Sequence, residues 1–296
     1  MTSSILLRSG YRRPGDEQHI QSAARTLLST WRLGYELRSF PTVLGATTVL
    51  VAGARSERPP VVMMLGGALA AATIESCVAA IARTREVFVV DIPGEPGLSS
   101  PGRPVGGGIG PYGLWLNALL PQLTAQTVDV MGHGLGASIA VESVCDRVDH
   151  LFLVSPESIL PPFRVSIAGI RRRRWLTTAD VGDIARYLES TTGPEYVPEP
   201  SVSTWFAKVA VYCVPTPRSL RPSTDRWDEA CSSQSVAMVV GTEDRVVPQR
   251  AVDKFVGRRS HIHKIPMIGV GRFPMLEVPE QFADALNSAP RTHTLE

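Results

Sequence analysis

The stretch Thr127 to Val144, TVDVMGHGLGASIAVESV, constrains the fold more than any other part of this chain. Five residues of strand type, Thr127 to Met131, run into Gly132-His133-Gly134-Leu135-Gly136. A helical pattern follows, with Ile139, Ala140 and Val144 on one side. A strand that turns sharply into a helix needs glycine where the backbone bends and where helix and strand approach closely.

The rest of the chain repeats the same alternation. Tyr35 to Phe40 and Thr47 to Ala52 read as a hairpin with a Pro and Gly turn. Val61 to Leu65, Val87 to Val90 and His150 to Val154 are short continuous apolar runs, as expected of strands buried on both faces. Helical patterns cover about 16–29, 70–83 and 112–123, and the Gly- and Pro-rich loop Ser99 to Pro111 reads as irregular. This order predicts an α/β protein with a doubly wound, mostly parallel sheet. The alternation stops after the sixth strand and resumes at Val236 to Val240, with a helix near 249–256, a strand at 261–266 and a last helix at 279–286. Residues 1–154 and 227–288 are therefore expected to form the core, and 155–226 a helical cap or lid with helices near 178–190 and 201–214.

Bulk properties exclude several classes. The 296 residues are 44% apolar and 20% charged with a net charge of +2, ordinary for a globular protein and neutral about partners. Three lysines against 27 arginines look like coding bias, and no basic stripe with interleaved aromatics points to nucleic acid. Cys77, Cys145, Cys213 and Cys231 show neither disulfide nor metal spacing. No run has the length of a membrane span or the form of a signal peptide, so a cytoplasmic protein without metal or cofactor is expected, monomeric or a homodimer.

In this order of elements four further motifs carry a resemblance to the α/β-hydrolase family, over about Tyr35 to Leu286. Leu65-Gly66-Gly67-Ala68 resembles the L-H-G-x loop that gives half of the oxyanion hole. Asp91-Ile92-Pro93-Gly94-Glu95-Pro96-Gly97-Leu98-Ser99 resembles D-x-P-G-x-G-x-S. Gly241 to Pro248 resembles the loop carrying the catalytic acid, and Gly269 to Pro279 resembles G-x-G-H-x-P-x-x-E-x-P. The stretch 127–144 is similar to the family's nucleophile elbow, G-x-S-x-G.

The resemblance implies a serine at position 134 and a histidine at 272, and the chain has Gly134 and Arg272. Glycine has no side chain to attack with, and a guanidinium stays protonated and cannot act as a general base. Asp244 matches the family's acid. These residues point to a non-hydrolytic enzyme, a lyase, cyclase or isomerase, acting on a bulky apolar, polyketide-like intermediate of specialised metabolism. The alternative is a catalytically inactive binder of a small molecule or partner, and a third reading is hydrolysis through water activated by Asp244 or His133.

The expected catalytic residues are Asp244, Arg272 and His133, with Arg272 paired to Asp244 and presenting a fixed positive charge. The expected substrate-binding residues are Gly67, Ala68, Gly134 and Leu135 through the backbone, Glu95 and Ser155 at strand ends, and Trp175 and Trp205 in the aromatic cap. Asp91 and Glu157 also stand at strand ends. Arg171 to Arg174 reads as a solvated face or a landing patch for an anionic substrate or an acidic carrier protein.

Overall fold

The computed structural model describes residues 5–66, 68–143, 145–161, 167–217, 220–259 and 261–290. In chain order its elements begin with β1 (Leu7–Ser9), α1 (Asp16–Leu28), β2 (Tyr35–Thr42), β3 (Gly45–Ala52), β4 (Val61–Met64), α2 (Glu75–Ala82) and β5 (Val87–Val90). Then come β6 (Gly102–Pro104), α3 (Gly110–Leu123), β7 (Val128–His133), α4 (Leu135–Glu142) and β8 (Val148–Val154). The helices α5 (Ile167–Thr178), α6 (Val181–Glu189), α7 (Pro200–Tyr212) and α8 (Thr224–Ser233) precede β9 (Ser235–Gly241), α9 (Gln249–Val256), β10 (Ile262–Met267), α10 (Pro274–Glu277) and α11 (Pro279–Ser288).

Eight strands form one sheet in the order β10-β9-β8-β7-β4-β5-β3-β2. The β2–β3 hairpin and the β3–β5 pair are antiparallel, and every other neighbouring pair is parallel. This is the doubly wound, mostly parallel sheet read from the alternation of apolar runs. Successive side chains of a strand point to opposite faces, and here both faces are buried. Val61 and Met63 of β4 face α1, α2 and α11, while Val62 and Met64 face α3, α4, α8 and α9. The first face also takes Trp175, Tyr187, Trp205 and Phe206 from α5, α6 and α7, so among the described residues these inserted helices share the sheet's apolar cluster.

Three local expectations are corrected. The loop after Ser99 is not wholly irregular, because β6 pairs antiparallel with β1, a strand too short to show periodicity. The helix expected over 70–83 begins only at Glu75, since Asp91 Oδ1 accepts from the Ala71 N–H and Thr73 Oγ donates to the Ala70 carbonyl. The inserted segment has α5 in addition to the two helices expected, and four consecutive arginines, Arg171 to Arg174, hide its apolar side.

At the strand ends remote from the elbow, Asp129 of β7 is fully buried against Arg85, which also donates to the Pro59 and Leu286 carbonyls. Removing one partner of such a pair strands a buried charge. Asp129→Ala is expected to lower unfolding stability by about 3–5 kcal/mol, read from urea denaturation. A loss below about 1 kcal/mol would mean that Arg85 finds another acceptor.

Candidate functional site

The site is built where β7 turns into α4. Gly134 caps α4 with φ 57° and ψ −109°, a conformation that strains any residue with a Cβ. Two residues on, a Cβ on Gly136 would lie 2.2 Å from the Met64 carbonyl oxygen, so only glycine lets α4 sit this close to β4. Leu135 is the first residue of α4, where N–H groups have no intrahelical acceptor.

Arg272, on the loop before α10, is 1% exposed. Its Nη2 donates to Glu157, which follows β8, and Arg172 of α5 stands 3.7 Å from the same carboxylate. The expected Arg272–Asp244 pair is therefore corrected: the guanidinium has turned to Glu157. Asp244 Oδ2 accepts from Ser155 Oγ at 2.6 Å, and Oδ1 accepts from the Val246 and Val247 N–H groups at 2.8 and 2.9 Å. Those three donors occupy both oxygens of the carboxylate. Burial pushes the Asp244 carboxyl above its ordinary range despite the Arg272 charge and these hydrogen bonds. Burial works against the charge on Arg272, but Glu157, Tyr187 and Asp244 outweigh it and hold the guanidinium protonated.

Three backbone donors fix the arginine loop. Glu277 accepts from the Gly271 and Phe273 N–H groups and from Gly193, just beyond α6, at 2.8, 2.9 and 2.7 Å. The Arg272 N–H itself donates to the Thr191 carbonyl at 2.6 Å.

Gly134, Leu135 and Arg272 meet at a cavity of about 90 Å³, together with Glu157, Ser158 and Arg172. Tyr187, Arg221, Ser138 and Thr216 complete its polar wall among the described residues. The other expected residues stand elsewhere. His133 lies behind the wall, fully buried, with Nδ1 3.1 Å from the Gly66 carbonyl and Nε2 3.2 Å from the Arg272 carbonyl. Burial, then the Arg272 charge, lowers its pKa to about 3. A neutral ring has one N–H and so donates to only one of these carbonyls, and His133 does not line the cavity, against its expected catalytic role.

Ser155 is buried with φ 44° and spends its hydroxyl on Asp244, so it positions the acid and does not face a ligand. Glu95 is taken by Arg103 at 3.0 Å and by the Thr216 hydroxyl at 2.6 Å. With Ala68 and Trp175 it borders a separate cleft of about 20 Å³. Trp205 donates to the Ala68 carbonyl at 2.7 Å, and Trp175 stacks on Tyr187 at 4.8 Å, so the aromatics of the inserted helices pack on one another and on the sheet. Gly67 lies outside the described residues.

The arginine run is solvated in part: Arg173 and Arg174 are exposed, Arg174 pairing with Asp183, whereas Arg172 turns into the cavity. Sequence reasoning left Ser158 and Arg221 out of the site and saw Arg172 only as part of the Arg171–Arg174 run. Glu157 was visible as a carboxylate at a strand end, whereas nothing in the sequence singles out Arg221. Among the described residues no group of His, Cys, Asp and Glu is placed to hold a metal ion, and no helix is long and apolar enough to cross a membrane.

Solved structures with this fold include carboxylesterase CesB from Bacillus subtilis, 21% identical with a TM-score of 0.76, covering 92% of this chain and 97% of that one. The naproxen esterase (carboxylesterase NP) of Bacillus subtilis is 17% identical with a TM-score of 0.77, covering 93% and 98%. No curated protein sequence matches the chain significantly. The family model described as Alpha/beta hydrolase family matches residues 49–285. With that match over most of its length, and with this sheet, the chain belongs to the alpha/beta hydrolase family.

Proposed function

We propose that this protein is a non-hydrolytic member of its family, an enzyme of lyase or isomerase type that works without a covalent intermediate. One observation carries the reading. Gly134 brings no nucleophile to the turn, and Arg272 Nη2 stands 3.1 Å from where a Cβ on that residue would be. Arg272 is a fixed cation and cannot take a proton from a serine or a water. It suits a different task, the stabilisation of negative charge that develops on a bound substrate, helped by the Leu135 N–H. Glu157 lines the same cavity and is placed to exchange a proton there.

The cyclase acting on a bulky polyketide-like intermediate is not retained. Sites for drug-sized ligands run to roughly 300–1,000 Å³, and the cavity beside Arg272 has about 90 Å³. The inactive-binder reading draws on the burial of His133 and Asp244, neither of which lines the cavity, so that Glu157 and Tyr187 are the described lining residues that could exchange a proton.

The test exposes the wild-type protein to a fluorophosphonate probe and to p-nitrophenyl acetate. The expected results are no covalent adduct by mass spectrometry and no ester cleavage above the buffer rate. An adduct on Ser138, which lines the cavity, with matching esterase turnover would overturn the proposal. If a substrate is then found, Glu157→Gln should abolish turnover and keep binding, whereas ligand binding without any product marks the binder.

A further inference from the structure

Two buried polar atoms of residues on the cavity wall have no hydrogen-bond partner, Arg272 Nη1 and Ser158 Oγ. Burying a donor without an acceptor is costly, and a site built to hydrogen-bond a ligand shows such open groups when empty. Arg272 is 1% exposed, its loop is tied down by Glu277, and Nη2 is already occupied by Glu157. One arm of the fork is therefore tied to Glu157, and the other is buried without a hydrogen-bond partner. Leu135, at the N-terminus of the eight-residue helix α4, lines the same cavity. Three arginines and one glutamate lie on this wall, which favours an anion.

We infer that the cavity is the subsite for a carboxylate group of two to four carbons. One carboxylate oxygen accepts from Arg272 Nη1, the other from the Leu135 N–H, and the Ser158 hydroxyl turns to whichever is nearer. The inference deepens the non-hydrolytic reading, on which it rests, because a serine side chain at position 134 would stand in the same space. A planar monoanion suits the site better than phosphate. Glu157 stays beside Arg272 and repels a dianion more strongly, and a space of about 90 Å³ suits a short chain.

The experiment uses the full chain and measures thermal stabilisation and calorimetric Kd for acetate, propionate and butyrate. Acetamide, propionamide, butyramide and inorganic phosphate are measured beside them at one ionic strength. The carboxylates are expected to bind at least tenfold more tightly than the matching amides, and more tightly than phosphate. Arg272→Met combined with Glu157→Gln removes both charges of the pair, which is gentler on folding than removing one. That variant, folded by circular dichroism, should lose propionate binding at least tenfold.

Equal binding of amide and carboxylate by the wild-type protein would overturn the inference without any variant. So would tighter binding of phosphate, or an unchanged propionate Kd in the folded double variant. Ester cleavage through a serine adduct would instead sink the non-hydrolytic reading, so the two failures are distinguishable.

Discussion

Gly134→Ser alone is expected to leave the protein without esterase activity, whereas Gly134→Ser together with Arg272→His is expected to exceed either single variant by about 100-fold or more. Arg272 cannot deprotonate a serine, and loss of one member of a nucleophile–base pair removes most of the rate that the pair supplies. A histidine at 272 would stand near Asp244, whose charge already acts on the Arg272 guanidinium. The gain is limited by Ser155, because Asp244 Oδ2 accepts from its hydroxyl and the new ring must displace it. The single variant should also be destabilised. A residue with a Cβ at φ 57° and ψ −109° costs about 1–3 kcal/mol, and that Cβ would lie 3.1 Å from Arg272 Nη2. Initial rates with p-nitrophenyl acetate and melting temperatures read both effects. Rapid cleavage by the single variant would contradict the role given to Arg272. A double variant no faster than the singles would mean that the elbow and Asp244 do not keep the spacing of a triad.

His133 carries the second large effect, on stability against acid. Its folded pKa is lowered from 6.5 to about 3, first by burial and then by the Arg272 charge. Between those values the unfolded chain binds a proton that the folded chain refuses. The contribution is complete above about pH 6.5 and is lost as pH falls through the folded value, by on the order of 4–5 kcal/mol in all. Asp91 acts in the opposite sense, because burial raises it to about 6 and its contribution is lost as pH rises through that value. The total slope therefore mixes groups, and the difference between wild type and His133→Gln isolates the ring. From pH 7 to pH 4 that difference should move in favour of the variant by about 3 kcal/mol in urea denaturation. A difference that does not change with pH would show that the ring is protonated in the native protein.

Much of the scaffold was legible because its physics is local. β4, β5 and β8 are continuous apolar runs, and buried parallel strands have no other way to look. The elbow was legible because Gly134 and Gly136 answer steric demands within ten residues of chain. The site was legible only as far as the elbow and the arginine loop. Arg272 pairs with Glu157 across 115 residues, and Ser155 reaches Asp244 across 89, so the partner that each group chose depended on which acceptor was already filled. α5 escaped notice because Ala168, Trp175 and Leu176 are the only buried residues of a helix dominated by arginine. The aromatic residues of the inserted segment suit either a wide pocket or packing on the sheet, and sequence alone does not separate the two. In the fold Trp175, Tyr187 and Phe206 pack on one another, and Tyr187 also reaches the cavity wall.

The ties on Arg272 have an entropic consequence. A long side chain free in solvent loses up to about 2 kcal/mol of rotamer freedom when a ligand immobilises it. The folded chain has already frozen this one, through Glu157 at the guanidinium and through Thr191 and Glu277 at the backbone. An arriving anion meets a preorganised donor, and little of the attraction is spent on ordering it. Gly193 of the inserted segment and Gly271 of the arginine loop share the same carboxylate oxygen of Glu277. The segment beyond α6 and the arginine loop are thus one mechanical unit, and a movement that opens the cavity by lifting α6 must either carry Arg272 along or give up that oxygen.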